Sequence, residues 1–339
     1  MSEPFGTSAP SGPPATSLRY IQAVQAALRW ALESRDDTVI FGEDVAKPGG
    51  VFGATKDLYE TYGDKRIFDT PISETAMLGM ALGNAMTGGR PIVEIMYADF
   101  MFVAMDQLVN QIANTRYVSE GRWTAPLVVR TQQGYSPGAC AQHSHSVEAY
   151  LAHTPGLRVA APANAGDAYQ MLRTAVTVDD PVVVVEARML YPTRGEVRLD
   201  SEIEAIGGAR IVRSGRDVTI VSWSSAVPTC LAAADQLARD GVEAEVIDMR
   251  WLNPLDHGTV RESMSRTRRG VVVHEANLTA GLGAEVATRA TEALFGVLEA
   301  PILRVAAPDV PMPAAPSLQA AVVPQVDRVV STVHAALGY

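Results

Sequence analysis

The sequence has only two cysteines, no long apolar run and fewer basic than acidic residues. Cys140 and Cys230 lie far apart and match no metal-ligand spacing, which predicts a reduced, cytosolic setting with both thiols as small buried side chains. No apolar run approaches the ~18 residues of a membrane helix. Lysine and arginine total 28 against 38 for aspartate and glutamate, a formal net charge of −10. Such a charge repels phosphate backbones, which excludes nucleic acid as a general partner but would suit a basic protein.

Basic residues are also missing from residues 1–17, a segment rich in proline, serine, glycine and alanine. This segment has neither the basic start of a secretory signal nor the arginines of a transit peptide. We therefore predict a mobile tail over residues 1–17 and a cytoplasmic protein. The nucleotide-binding patterns GxGxxG and GxxxxGK[ST] and the zinc-protease pattern HExxH are absent as well, so those functions have no support.

Unbroken apolar strands alternate with helical segments along the rest of the chain, with one helix expected from about residue 102 to 118. This alternation is typical of a parallel sheet covered by helices on both faces. A polar stretch at 193–206 interrupts the pattern before it restarts, and 339 residues fit two domains of ~150 residues each. We predict two α/β domains, over 18–192 and 207–339, joined by a linker at 193–206.

The motif DTPISE places Glu74 in the first turn of a helix that follows a strand. One interpretation is N-terminal capping with Ser73 as the cap, since a carboxylate in the first turn gains ~0.3–1 kcal/mol from the helix dipole. The other interpretation is functional, because ligands of open α/β sheets bind at the carboxyl ends of strands. A carboxylate held at such an edge is well placed to move protons.

The motif EIMYADF ends a predicted strand with Met96, Asp99 and Phe100. A methionine and an aromatic residue at such a position are more typical of core filling than of a platform for a cofactor. By themselves these residues therefore leave both interpretations open.

The motif QHSHS contains His143 and His145, with His153 close behind. A zinc site would need a third ligand in suitable geometry, so two histidines on a loop give it little support. An acid/base or anion-binding role is favoured, because histidine titrates near neutrality and a loop exposes it. A surface or capping histidine is the alternative.

This chain resembles one protein family in a set of segments and in their order along the sequence. The segments are DTPISE, EIMYADF, MDQLVNQIANTRY, QHSHS, HTPGLRVAAP, DPVVVVEARMLY and VIDMRWLNPLD. The family is the β subunit of the thiamin-diphosphate-dependent first component (E1) of 2-oxo acid dehydrogenase complexes. Its members act on pyruvate, branched-chain 2-oxo acids or acetoin. The resemblance covers residues 18–339 and implies a pyrimidine-binding α/β domain followed by a transketolase-type C-terminal domain.

The resemblance also implies roles for individual residues. Glu74 matches the carboxylate that hydrogen-bonds a ring nitrogen of the cofactor's aminopyrimidine. Met96 and Phe100 match residues that flank this ring, and Ile72 matches a hydrophobic wall. His143 matches the family's active-site histidine, which is assigned to acid/base or acyl-transfer work.

The chain departs from the family pattern at two positions. His145 stands where the family commonly has glutamine, and this extra titratable group could alter substrate preference or the response to pH. Gly53 stands where relatives often carry arginine, and nothing in the sequence explains that change.

Half of the implied site is missing from this chain. Thiamin enzymes bind Mg²⁺ and the diphosphate with a GDG motif followed by an asparagine, and the sequence has no GDG. The resemblance therefore implies an α subunit that carries GDG and Mg²⁺, an active site between subunits and an α₂β₂ heterotetramer. No metal ligands are expected from side chains of this chain. Family members also bind a structural K⁺ through backbone carbonyls of the β subunit, which makes K⁺ a candidate ion here.

The main hypothesis is a subunit of a decarboxylating 2-oxo acid dehydrogenase that transfers the acyl group to lipoyl-lysine on an acyltransferase component. The acidic charge would suit docking to a small, basic subunit-binding domain of that component. A split transketolase-like or acyloin-forming enzyme is the alternative within the superfamily, and a non-catalytic scaffold is the alternative outside it. The sequence leaves the choice of 2-oxo acid open.

Overall fold

The structure, a computed structural model, describes residues 15–339. Its strands are β1 (Thr16–Arg19), β2 (Thr38–Gly42), β3 (Ile67–Asp69), β4 (Arg90–Ile95), β5 (Val128–Gln133), β6 (Arg158–Ala160), β7 (Val182–Ala187), β8 (Arg194–Val197), β9 (Arg210–Arg213), β10 (Val218–Ser222), β11 (Ala244–Asp248), β12 (Trp251–Asn253), β13 (Gly270–Asn277) and β14 (Leu303–Ala307). Its α-helices are α1 (Tyr20–Ser34), α2 (Leu58–Tyr62), α3 (Glu74–Met86), α4 (Thr115–Val118), α5 (Glu148–Ala152), α6 (Ala165–Thr177), α7 (Ala226–Arg239), α8 (His257–Thr267), α9 (Leu282–Leu294), α10 (Pro316–Val322) and α11 (Val326–Leu337). Of the predicted tail, positions 1–14 lie outside the described residues, whereas Thr16 and Ser17 start β1.

The first sheet has seven strands in the order β12-β6-β7-β5-β4-β2-β3, and all neighbours are parallel except β12 and β6. Every residue of β5 and β7 is buried, because helices cover both faces of the sheet. Helices α1 and α6 pack together on one face. Helix α3 and the helical segment at 98–112 cover the other face.

The second sheet has five strands in the order β14-β13-β10-β11-β9, with only β9 antiparallel to its neighbour. Helices α7 and α11 pack on one face, and α8 and α9 on the other. Val183 of the first sheet and Val272 of the second belong to one continuous apolar cluster, so the two sheets share a core. The predicted α/β class with two parallel-sheet units is confirmed.

Two short strands do not follow the predicted division of the chain. Strand β12 comes from the second half but pairs with β6 in the first sheet. Residues 193–206 contain β8, which pairs with β1 at the start of the chain. Both strands are only three or four residues long, too short to give a periodic pattern in the sequence.

The helix expected at about 102–118 is replaced by three short helical segments. A 3₁₀-helix covers Ala98–Ala104, a π-helix covers Asp106–Ile112, and α4 follows. The Asn114 side chain donates hydrogen bonds to the carbonyls of Val109 and Asn110, at 3.1 and 3.3 Å. Segments of this kind are frequent at functional sites, and this one directly follows β4. Within residues 15–339, no helix is both long and apolar enough to cross a membrane.

Candidate active site

The predicted site residues lie at one edge of the first sheet. Parallel strands β2, β4, β5 and β7 end there, and the segments that carry Glu74, Phe100 and His143 follow in the adjacent loops and helices. This is the edge at which open α/β sheets bind ligands. Thr75 on α3 donates a hydrogen bond to the carbonyl of Val103 at 2.8 Å, which ties the helix of Glu74 to the segment of Phe100.

Glu74 is the first residue of α3 and is buried, with 7% of its surface exposed. Ser73 occupies the N-cap position but makes no capping hydrogen bond through its side chain, so the capping interpretation has no support from Ser73. Among the described residues the Glu74 carboxylate has no hydrogen-bond donor. Neither Glu74 oxygen is among the fully enclosed atoms that lack a partner, so the carboxylate reaches the surface and can accept a hydrogen bond from a ligand or a partner.

A second carboxylate, Glu43, lies next to Glu74 at the end of β2. Burial and the nearby Glu74 charge raise the pKa of Glu43. Its Oε1 atom is buried and lacks a hydrogen-bond partner within residues 15–339. Glu43 therefore holds a proton more readily than an ordinary glutamate does. Sequence analysis missed Glu43, although its position directly after the apolar strand was a signal.

Met96 and Phe100 are half-buried at the end of β4. The Phe100 ring packs against the core and meets the Tyr97 ring edge-on, with centroids 5.5 Å apart. Core filling therefore describes part of the role of Phe100. Ile72 is 83% exposed in this chain, so an apolar side chain stands free beside Glu74.

His143 meets the aromatic residues of the β4 segment. Its ring lies edge-on to Tyr97 at 4.8 Å and to Phe100 at 5.6 Å between centroids. The structure thus brings together the motifs EIMYADF and QHSHS, whose residues Phe100 and His143 are 43 positions apart in the sequence. Tyr97 was part of a quoted motif but was not singled out from the sequence.

His145 points to a different partner. Its Nδ1 atom is 2.5 Å from a carboxylate oxygen of Asp99, and the backbone N–H groups of Ser144 and His145 donate to the same oxygen at 3.2 and 3.3 Å. The ring also contacts Phe102, with centroids 5.6 Å apart. Asp99 therefore orients the imidazole and leaves Nε2 as its free nitrogen.

His153 lies apart from this group. It lines a cavity of about 920 Å³ between α5 and α9, together with His257 and Arg289. Over residues 15–339 there is no group of three or more histidine, cysteine or carboxylate side chains that could hold a metal ion. The zinc interpretation of the three histidines therefore gains no support.

Arg188 is a site residue that sequence analysis missed. It follows β7 directly, its guanidinium lies over the Tyr97 ring at 4.9 Å, and it donates hydrogen bonds to the carbonyls of Gly134 and His143. An arginine three positions after a run of four valines was the available signal.

The loop before His143 also contains the sequence GYSPG at 134–138, which has the spacing of the nucleophile motif GxSxG. That motif requires a sharp turn from a strand into a helix. Here β5 is followed by a loop and by a single 3₁₀ turn at Ala141–His143. The described residues place no histidine in hydrogen-bond contact with Ser136, so a serine hydrolase is not supported.

Two family descriptions match the chain. Residues 16–194 match the transketolase pyrimidine binding domain, and residues 207–329 match the transketolase C-terminal domain. A solved structure described as a split gene transketolase, inactive beta4 tetramer, superimposes with a TM-score of 0.78 at 23% identity. The superposition covers 95% of this chain and 98% of that one, and at this identity it supports the fold alone.

Curated relatives match along nearly their whole length. The pyruvate dehydrogenase E1 component subunit beta of Leifsonia xyli subsp. xyli is 41% identical over 96% of this chain and 97% of the relative. The Bacillus subtilis protein of the same name is 40% identical, over 87% of this chain and 91% of the relative. The 2-oxoisovalerate dehydrogenase subunit beta of Bacillus subtilis is 38% identical, over 89% and 93%.

Proposed function

Since the chain belongs to the β-subunit family of 2-oxo acid dehydrogenase E1 components, we propose that it supplies the pyrimidine half of a thiamin diphosphate site. An α subunit with a GDG motif would supply Mg²⁺ and the diphosphate half. The observation that carries this proposal is Glu74, a mostly buried residue whose carboxylate has no hydrogen-bond donor within residues 15–339, on a helix tied to the segment of Phe100.

The side chains at this edge offer a hydrogen-bond acceptor and apolar surface, which fit an aminopyrimidine. A protonated ring nitrogen would give the Glu74 carboxylate the hydrogen-bond donor that it lacks, and neighbouring Glu43 increases the local affinity for a proton. Phe100 and Met96 offer apolar surface to the faces of a planar ring. Exposed Ile72 would be covered by the cofactor and the α subunit.

Each side chain then has a physical task. When bound, thiamin diphosphate supplies an electron sink for decarboxylation. Glu74 holds the proton of the ring nitrogen and thereby orients the aminopyrimidine. His143, packed against Tyr97 and Phe100, holds or delivers a proton at the oxygen of the reacting carbonyl. Aromatic walls around His143 limit the access of water to that proton.

The proposed reaction is oxidative decarboxylation of a 2-oxo acid with transfer of the acyl group to lipoyl-lysine on an acyltransferase component. The assembly would be an α₂β₂ heterotetramer, and the acidic charge of this chain would favour docking to a basic domain of the acyltransferase. Bound K⁺ and a cytoplasmic location stay predictions. The relatives named for pyruvate and for 2-oxoisovalerate keep both substrate classes open.

A split transketolase-like enzyme is a second candidate, because both domain types that the chain matches are transketolase domains. That enzyme would transfer a ketol or acyl group to an acceptor other than lipoate. Product formation that needs no lipoyl domain would favour this second candidate.

The test is co-expression with the α subunit, followed by assays of 2-oxo acid decarboxylation with an artificial electron acceptor. Pyruvate and branched-chain 2-oxo acids are compared, with and without lipoyl domain. The proposal expects activity only when both subunits are present. Unchanged activity of Glu74→Ala in this assay would contradict the role of Glu74.

A further inference from the structure

The loop that carries His143 has little internal support. It runs from Gly134 to Ser146 between β5 and α5, and Gly134 and Cys140 have φ angles of 82° and 49°. Its own backbone hydrogen bonds include Gly134 N–H to the His145 carbonyl at 3.3 Å and Ala139 N–H to the Ser136 carbonyl at 3.0 Å. A catalytic side chain on such a loop needs anchors from outside the loop to keep one position.

Arg188 provides one anchor, from the end of β7. Its side chain donates to the carbonyls of Gly134 and His143, which lie at the two ends of the loop. The guanidinium also stacks on Tyr97, whose ring contacts His143. Arg188 thus fixes both the backbone of His143 and the ring against which its imidazole packs.

Glu275 provides a second anchor, from the end of β13 in the other sheet. Its Oε1 atom accepts a hydrogen bond from the backbone N–H of Tyr135 at 2.7 Å, and Ser225 donates to Oε2. A Cβ atom on Gly134 would lie 2.5 Å from the Glu275 carboxylate, and this position also has positive φ, so a glycine is required there. The loop and the carboxylate are therefore fitted to each other.

Gln319 provides a third anchor for the loop, and it also comes from the second half of the chain. Gln319 on α10 is buried and donates to the carbonyl of Ser136 at 3.0 Å. Glu275 and Gln319 both lie outside the sheet that carries Glu74, Phe100 and His143. The second half thus reaches the loop at Ser136 as well as at Tyr135.

We propose that Arg188 and Glu275 are positioning residues for His143, and that the second α/β unit thereby sets the orientation of the catalytic histidine. This inference rests on the proposed acid/base role of His143. Neither residue is expected to touch the substrate, and both act through the backbone of the 134–146 loop.

The test is a double-mutant cycle in the assembled enzyme with its α subunit, with reductive acylation of a lipoyl domain as the assay. Glu275→Ala is expected to lower kcat about 10- to 100-fold, because misplacement of a catalytic group by ~1 Å costs rates of this order. In a His143→Ala background the same substitution is expected to cost less than about threefold, since two residues that act as a unit are not additive. Glu275→Gln keeps an acceptor for Tyr135 and is expected to stay within about threefold of wild type.

Hydrogen exchange of the 134–146 segment is the second readout. Glu275→Ala is expected to speed exchange in this segment, while exchange in β10 and β11 stays unchanged. Glu245→Ala is the matched control, because Glu245 is a carboxylate of the same sheet that is buried and pairs with Arg266 at 2.7 Å, away from the loop. If Glu275→Ala does not fold, Arg188→Met replaces it in the cycle and in the exchange measurement.

The outcomes are separable. Equal losses from Glu275→Ala in the wild-type and His143→Ala backgrounds, or unchanged exchange in the loop, would overturn the positioning role alone. Full activity of His143→Ala would overturn the proposed role of His143 itself, and the positioning role with it. Two results together support both roles. His143→Ala lowers the activity, and Glu275→Ala costs less in the His143→Ala background than in the wild type.

Discussion

The two sheets of this protein have similar architectures but contribute differently to the candidate active site. Each is a largely parallel sheet with one antiparallel edge strand and helices on both faces. The candidate catalytic residues Glu74 and His143, and the candidate cofactor-binding residue Phe100, lie at the carboxyl edge of the first sheet. The second sheet contributes Glu275, which holds the His143 loop in place. The comparison shows that a repeated architecture places the edges, while individual loop residues decide which edge performs the chemistry.

Buried charge is also handled differently in the two halves. In the first sheet, Arg130 is fully buried and paired with Glu94 and Glu186 at 2.6 and 2.8 Å. In the second half, three buried atoms have no hydrogen-bond partner within residues 15–339. They are Oδ2 of Asp248 and both ring nitrogens of His274. Arg130 and its two partners are thus a buried set of paired charges, whereas burial favours the neutral form of Asp248 and of His274.

The largest expected effect is on catalysis at the first sheet. Glu74→Ala is expected to lower decarboxylation by the assembled enzyme about 10²- to 10⁴-fold, because it removes the group that we propose to hold a proton at the cofactor ring. Initial rates with both subunits present measure this. Glu60→Ala is the matched control, since Glu60 is an exposed first-turn carboxylate of α2. Equal effects of the two substitutions would contradict a specific role of Glu74 in catalysis.

Arg130→Met tests the paired charges of the first sheet. The substitution leaves two buried carboxylates without their cation, which is expected to cost about 3–5 kcal/mol of unfolding free energy. Urea unfolding of the isolated chain measures this loss. The control is Arg216→Met, which breaks an exposed pair with Glu243 and is expected to change stability by less than about 1 kcal/mol.

Asp248→Asn tests whether the buried Asp248 side chain is neutral in the folded protein. Burial, with the nearby Asp167 charge, raises the pKa of Asp248 to about 7, above its usual value of about 3.9. At a pH between these two pKa values, Asp248 is protonated in the folded protein and ionised in the unfolded one, so folding takes up a proton. The contribution of this residue to the unfolding free energy therefore falls as pH rises from about 4 to 7. Asparagine stays neutral and is expected to be about 1–3 kcal/mol more stable than wild type at pH 8.

The pH dependence separates this effect from a general gain in stability. At pH 4 the difference between Asp248→Asn and wild type is expected to shrink to within about 1 kcal/mol, because Asp248 is then protonated in the folded protein. Thermal or urea midpoints at pH 4, 6 and 8 give the curve. A difference that stays constant with pH would contradict a buried, neutral Asp248.

The smallest expected effect concerns His145. His145→Gln is expected to change kcat/KM for any 2-oxo acid by less than about threefold, because the side chain is exposed and glutamine can still donate to Asp99. The ratio of kcat/KM for pyruvate and a branched-chain 2-oxo acid is the measurement. A change of more than tenfold in that ratio would make His145 a specificity residue.

Much of the first sheet could be predicted from the sequence, because buried parallel strands leave unbroken apolar runs such as VVVV in β7. Glu74, Phe100 and His143 were found because each follows such a strand or a loop with glycine. Their mutual contacts could not be predicted, since periodicity says nothing about which strand ends become neighbours. Glu275 meets Gly134 across 141 positions, and only the folded chain brings them together.

Local geometry was the other limit. The helical pattern after β4 predicts one helix, but the structure has 3₁₀, π and α segments there, because local side-chain hydrogen bonds such as those of Asn114 compete with the regular ladder. The switch of β12 into the first sheet involves three residues, which is too few for any pattern.

The central claim is that this chain is half of a cofactor site, and calorimetry tests it most directly. Thiamin diphosphate with Mg²⁺ is titrated into the α subunit alone, this chain alone, the assembled wild-type enzyme and the assembled Glu74→Ala variant. The account predicts at least about 100-fold tighter binding to the assembled wild-type enzyme than to either subunit alone, with weaker binding to the variant. Equal affinity of the α subunit with and without this chain would contradict it and would leave this chain a scaffold.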